Sequence, residues 1–259
     1  MKVVSITNQK GGVGKTTTSR ILLEGLQKKK LKLLAIDTDK SMNLSSLFHY
    51  DDNEKTIFDL LNGEEASQCI IHTQEGIDLI QGDSRVSLIE SKEIEPNLFR
   101  KKIEPLRELY DLILIDTSPD LNKMNLQTMT ASDSIIIPMF ADYFSMQGLA
   151  KLIKTIEATK NFTENKTLKI DGILLNQFHN IYLLNRKLFN ALEKIAKDHS
   201  IKIYKSKIRQ STSIGTSQLE RKEILNTSSN VAKDFQNFVD EYFKDFQKEE
   251  KEKKQNEQV

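Results

Sequence analysis

One stretch near the start, Lys10-Gly11-Gly12-Val13-Gly14-Lys15-Thr16-Thr17, constrains this chain more than any other. It follows Val3-Val4-Ser5-Ile6-Thr7, a β-branched run that reads as a buried strand. After it, residues 19–30 place Ile21, Leu22, Gly25 and Leu26 on one helical face. Strand, glycine-rich turn, Gly-Lys-Thr and helix is the frame of a phosphate-binding loop. Glycines let backbone N–H groups crowd around an anion, and the helix N-terminus adds a favourable dipole. In that frame Lys15 reaches the β- and γ-phosphates of a nucleotide, and the Thr16 hydroxyl holds Mg²⁺.

Two further strand ends carry carboxylates. The apolar run 31–36 closes on Asp37-Thr38-Asp39. In a parallel α/β sheet, ligands bind at the C-terminal ends of strands; the aspartates serve there or cap a helix at Leu44. Tyr110-Asp111-Leu112-Ile113-Leu114-Ile115-Asp116 is a Walker B arrangement, with Asp116 binding Mg²⁺ through water. Residues 120–130 then form a switch that senses the γ-phosphate. More strands are expected at 76–82, 134–138, 170–176 and 201–204, with helices at 95–109, 143–160 and 182–199. Their apolar runs are continuous, as in a sheet covered on both faces. The expected fold is therefore α/β, a doubly wound, mostly parallel sheet of about seven or eight strands with helices on both faces. No linker or repeat divides it, so residues 1–247 read as a single domain. Residues 248–259, rich in Lys and Glu, read as a disordered tail.

Composition narrows the function classes. Charged residues are 29% of the chain, yet the net charge is +1, so any nucleic-acid affinity must be local. A lone Cys69 excludes an internal disulfide framework and argues against an in-chain metal or iron–sulfur centre. No signal peptide and no membrane-spanning run are visible, which implies a soluble intracellular protein.

The phosphate loop departs from G-x-x-x-x-G-K-[ST]: Gln9 stands where the first glycine belongs, and a second lysine, Lys10, precedes the glycines. In this K-G-G-x-G-K-T form the sequence resembles the ParA/MinD family of P-loop ATPases. The family pattern D-x-D-P-Q-x-N is matched here by Asp37-Thr38-Asp39-Lys40-Ser41-Met42-Asn43, with Lys-Ser replacing Pro-Gln. Its D-x-P-P is matched by Asp116-Thr117-Ser118-Pro119, with one proline replaced. The resemblance implies that Lys10 reaches the nucleotide of a partner subunit and that Asp39 serves the attacking water and the Mg²⁺ shell. It gives Asn176, otherwise a simple turn residue, a contact to adenine. The family's I-P-R-N loop reads Lys207-Ile208-Arg209-Gln210 here. Arg209 would thus contact DNA, together with Lys205, Lys207, Arg221 and Lys222 in the same basic stretch. These lysines read equally as a solvated face, and the relatives' second basic position is Asn230 here.

By resemblance the chain is expected to be a partition ATPase with a catalytic set of Lys10, Lys15 and Asp39. Gly11, Gly12, Val13, Gly14, Lys15, Thr16, Thr17 and Asn176 would bind ATP, and Thr16, Asp39 and Asp116 would hold Mg²⁺. ATP would close a homodimer that binds DNA without sequence preference. A ParB-like centromere-binding partner would stimulate a weak hydrolysis that releases it. Localisation would be cytoplasmic and nucleoid-associated, with no membrane partner. Only nine residues precede the loop, so no DNA-binding domain is expected ahead of it. Two alternatives remain. A MinD-like membrane-cycling ATPase would use the last helix, whose stripe runs from Val231 and Phe235 through Phe238, Val239, Tyr242 and Phe243 to Phe246. That stripe is flanked by Asp234, Asp240, Glu241 and Asp245, which suits core or partner packing better than lipid. A nucleotide-binding interaction module with little hydrolysis would follow from the altered Lys40-Ser41 pair.

Overall fold

Continuous apolar runs cannot leave either face in water, and here they pair into one sheet with helices on both sides. A computed structural model describes residues 1–51, 54–178 and 183–256. In chain order the elements are β1 (Lys2–Ile6), α1 (Lys15–Lys28), β2 (Leu33–Asp37), α2 (Ile57–Leu61), β3 (Ile71–His72), β4 (Asp78–Ile80), α3 (Leu98–Ile103), β5 (Leu112–Asp116), α4 (Lys123–Ala131), β6 (Ser134–Phe140), α5 (Tyr143–Phe162), β7 (Lys169–Asn176), α6 (Leu183–Asp198), β8 (Ile203–Lys207), α7 (Ser213–Leu219) and α8 (Asn230–Asn256). The eight strands lie in the order β3-β4-β2-β5-β1-β6-β7-β8. Among the described residues only the β3–β4 edge is antiparallel. Strand order switches direction at β1, with β2–β5 added on one side and β6–β8 on the other, and β1, β2 and β5 end level: Ile6 and Asp37 both face Asp116 in register. That topological switch point is where open α/β sheets bind ligands.

Alternate strand residues feed the two faces. Val4, Ile6, Leu33, Ala35, Leu112 and Leu114 pack under α1 and α8. Val3, Leu34, Ile36, Ile113 and Ile115 pack against α2, α3 and α4, and Ile135, Ile137, Ile173 and Leu175 against α5 and α6. Each of these Val, Leu and Ile side chains, fully buried, contributes about 1.5–3 kcal/mol. The stripe of α8 is core: Val231, Phe235, Phe238, Val239, Tyr242 and Phe246 are all buried. Gly25 lets α8 approach α1, since a Cβ there would meet Val239 Cγ1 at 2.5 Å.

Five expectations need correction. β3 went unrecognised because a two-residue edge strand has no period to read. The helix expected over 95–109 is α3 followed by a tighter turn at Glu104–Glu108, because Pro105 has no N–H to continue the α ladder. The last strand is Ile203–Lys207, later than expected, so Lys205 and Lys207 lie in a sheet edge rather than a loop. The polar segment after Arg209 contains a helix, α7. Finally, α8 runs on to Asn256 instead of ending in a tail at 248. Glu249 accepts from Lys2 at 2.8 Å and Lys169 at 2.6 Å, and Glu250 accepts from the Met1 amine at 3.2 Å. The Lys–Glu composition that reads as disorder thus supplies ion pairs that hold a helix. The rest of the expected tail, 257–259, and the expected helix start at Tyr182 lie outside the described residues.

Candidate functional site

The turn between β1 and α1 is pinned before it reaches the glycines. Thr7 N–H donates to Ile136 O at 3.0 Å, and Asn8 Nδ2 to Pro138 O at 2.8 Å. Asn8 Oδ1 accepts from Lys10 N–H at 2.9 Å. Gly12 and Gly14 then take left-handed conformations, with φ of 74° and 91°. Gly14 is the N-cap of α1, and a Cβ there would lie 2.6 Å from Asn176 Nδ2. Any other residue would therefore meet both backbone strain and a side chain. This turn leaves the first N–H groups of α1 directed at the loop mouth, a ready anion site.

Carboxylates gather beside it. Asp116, at the end of β5, is wholly buried and accepts from Thr16 Oγ1 and Ser19 Oγ, both at 2.7 Å. Asp37, level with it on β2, is equally buried and accepts from Ser45 N–H and Ser45 Oγ, both at 2.8 Å. Burial pushes the pKa of both above the usual carboxylate range, and for Asp116 the Asp37 charge adds to it. Asp39 sits on the following loop, where its Oδ1 accepts from Ser41 N–H at 2.9 Å. Lys15 is buried, its Nζ 3.4 Å from Lys10 O. Desolvation lowers its pKa against the pull of Asp116, Asp39 and Asp120. Lys40, where the pattern expects proline, pairs with Asp120 at 3.2 Å and ties the loops after β2 and β5 together.

Asn176 closes the site from β7. Its Nδ2 donates to Val13 O at 2.7 Å, and its Oδ1 is buried without a partner. Val13 O can only accept, so the amide orientation is fixed and its oxygen is left as a buried acceptor without a partner. The cleft beside the phosphate loop is lined by Gly12, Gly14, Thr17, Asn176, Ser211 and Phe235, among others. Gln218 of α7 reaches Thr17 Oγ1 at 3.0 Å. Lys10 stands over the ring of Phe140, which lines the same cleft, at 5.3 Å. Its Nζ donates to Asp142 Oδ2 at 2.7 Å and Ser145 Oγ at 3.2 Å, at the start of α5.

The expected residues 10–17, Asp39, Asp116 and Asn176 thus converge on one sheet end. A family model and two relatives give that arrangement a family, and one solved structure shares its fold. The model for the family described as "AAA domain" matches residues 1–170. The sporulation initiation inhibitor protein Soj of Bacillus subtilis is 30% identical over 233 residues, 86% of this chain and 90% of Soj. The chain belongs to the ParA/Soj family of P-loop ATPases. The chromosome partitioning protein ParA of Caulobacter vibrioides is 31% identical over 211 residues, 76% of this chain and 75% of that one. A plasmid partition protein of Borrelia burgdorferi bound to AMPPNP shares the fold, with TM-score 0.79 and 23% identity, covering 94% of this chain and 99% of that one.

The basic residues of this ParA/Soj-family chain are dispersed. Arg209 is gripped by Asp234, Nε to Oδ2 at 2.6 Å and Nη2 to Oδ1 at 2.9 Å. Lys207 Nζ stands over the rings of Phe178 and Phe189 at 4.4 and 4.2 Å, and Lys222 pairs with Glu220 at 3.0 Å. Lys205 and Arg221 are exposed and hold no carboxylate among the described residues. Lys233, one turn into α8, is equally exposed and unpaired among them. Sequence reasoning missed Lys233, Asp142, Ser45, Gln218 and Asp234. Asp37 had a visible signal in its strand-end position; the others meet the site only through the fold.

Proposed function

We propose that this chain is a partition ATPase that binds Mg-ATP at the end of β1, β2 and β5 and dimerises upon doing so. The observation that carries the nucleotide reading is the unpartnered buried Oδ1 of Asn176, a residue that lines the cleft beside the phosphate loop. An acceptor at that position suits the exocyclic amine of adenine and opposes the carbonyl of guanine.

The buried carboxylates fit a cation. Asp37, Asp39 and Asp116 outnumber Lys15, and the two wholly buried ones already titrate high. Thr16, Asp39 and Asp116 would hold Mg²⁺, which neutralises phosphate charge when bound. The remaining work belongs to the chain. Loop N–H groups cradle the phosphates, and Lys15, desolvated and poised, stabilises the charge that develops on the γ-phosphate. Asp39 orients the attacking water. The Lys40–Asp120 pair restrains the two loops that must move, which suits slow turnover until a partner protein parts them.

Lys10 supplies the dimer step. It is held at home by Asp142, and the phosphates of a facing subunit's nucleotide compete for it. The dimer then joins the exposed cations Lys205, Arg221 and Lys233, with Lys207 and Lys222, of both chains into one surface for the DNA backbone. Size-exclusion chromatography with ATP and with ADP tests this. ATP should shift the wild type to a dimer, and Lys10→Ala should stay monomeric with either nucleotide. A wild type that is monomeric in every condition would sink the mechanism.

A further inference from the structure

Arg209 matches the DNA-contacting position of the family pattern, but its surroundings point elsewhere. Three donors of one residue converge on one carboxylate. Arg209 Nε and Nη2 take both oxygens of Asp234, and the Arg209 backbone N–H donates to Oδ2 at 3.1 Å. A fork–fork pair reinforced by a main-chain bond is a geometric clamp, because the planar guanidinium fixes direction as well as distance. Asp234 is mostly buried, at 12% side-chain exposure, while the Arg209 side chain is half exposed, so what singles the pair out is its three-bond geometry rather than its burial.

What the clamp holds is the wall of the nucleotide cleft. The preceding residue, Ile208, is buried and still aligned with β7: its N–H donates to Leu175 O at 2.8 Å and its O accepts from Phe178 N–H at 2.9 Å. From Arg209 the chain runs along the cleft, where Arg209, Ser211, Thr212, Ile214 and Gly215 line it together with Gly14 and Asn176. Phe235, next to Asp234 on α8, lines it too. The far end of this segment is fastened by Gln218 to Thr17. Arg209–Asp234 is therefore the near anchor of a segment that lines the same cleft as Asn176.

We propose that Arg209 is a positioning residue for the nucleotide base, acting through Asp234, and that it is not a DNA contact. This rests on the nucleotide reading above. The clamp sets the distance between the segment at 211–215 and Asn176, and so the width of the slot that admits a purine and holds its edge against Oδ1. The DNA-facing charge is carried by the unpaired cations Lys205, Arg221 and Lys233.

Equilibrium binding of fluorescent ATP and GTP analogues, with random-sequence duplex in a parallel assay, tests it on Arg209→Ala, Asp234→Ala and the charge-reversed pair Arg209→Asp/Asp234→Arg. Both single variants should bind ATP about tenfold more weakly, the loss expected when a charge-assisted pair is broken. Both should also lose preference for ATP over GTP. The reversed pair should recover a substantial part of each. At saturating ATP, duplex binding by all three should stay within about twofold of wild type. The proposal is overturned if Arg209→Ala keeps its ATP affinity while losing the duplex, or if the reversed pair fails to rescue although its thermal melt matches wild type. If the wild type binds neither nucleotide, the nucleotide reading falls as well, which separates the two failures.

Discussion

Asn176 illustrates what one side chain decides in this site. Its two ends do different work: the nitrogen locks the loop through Val13 O, and the oxygen is left as a buried acceptor. Replacing it with alanine removes both. Asn176→Ala should weaken ATP binding about tenfold and reduce discrimination against GTP by a similar factor, as loss of one buried hydrogen bond predicts. Competition binding with the two nucleotides measures it, and an unchanged ATP-to-GTP ratio would remove Asn176 from base recognition. That an asparagine ends β7 is visible in the sequence. That its oxygen lacks a partner is not, because the answer depends on Val13, far away along the chain and brought alongside by the parallel sheet. Lys10 is a similar case. Its departure from the consensus is plain in the sequence, and its resting partner Asp142 emerges only from the β6–α5 junction packing beside the loop.

At the scale of elements, α8 differs most from its sequence reading. Its last turns bind the start of the chain through Glu249 and Glu250. Partial burial opposes the Glu249 carboxylate, but hydrogen bonds from Lys169 and Lys2 outweigh that and hold its pKa below the ordinary glutamate value of 4.5. A depressed folded-state pKa stabilises the protein above the unfolded value, and that stabilisation is lost as pH falls through the folded value. A variant ending at Gln247 should therefore be about 1–2 kcal/mol less stable near neutral pH. Its deficit against wild type should shrink below pH 4.5. Urea titrations at neutral and acidic pH measure both effects. Equal midpoints at neutral pH would show that the last turns carry no stability. The helix was hidden because its anchoring acids lie far along the chain from their partners Met1, Lys2 and Lys169. Read locally, the same residues look like solvated charge.

For the whole molecule, the near-neutral net charge means that the proposed affinity for DNA would have to come from cations gathered on one surface rather than from total charge. Binding to random duplex should need ATP and fall steeply with salt, since each phosphate contact releases counterions. Replacing Arg221 and Lys233 together with alanine should reduce the slope of log affinity against log salt by about 2 per protomer. An unchanged slope would exclude those two side chains from the surface. The sequence by itself determined the parallel α/β architecture, the phosphate loop, the two strand-end carboxylates and the family. All of these rest on contiguous residues whose local periodicity or spacing sets backbone geometry. Tertiary structure alone decided which charges are free and which are spent. Arg209 is spent on Asp234 and Lys10 on Asp142, while Lys233 is left exposed. The physical reason is that a charged side chain's availability depends on what the fold places within a hydrogen bond of it. That neighbour is set by packing between distant segments and has no signature in the residues beside it.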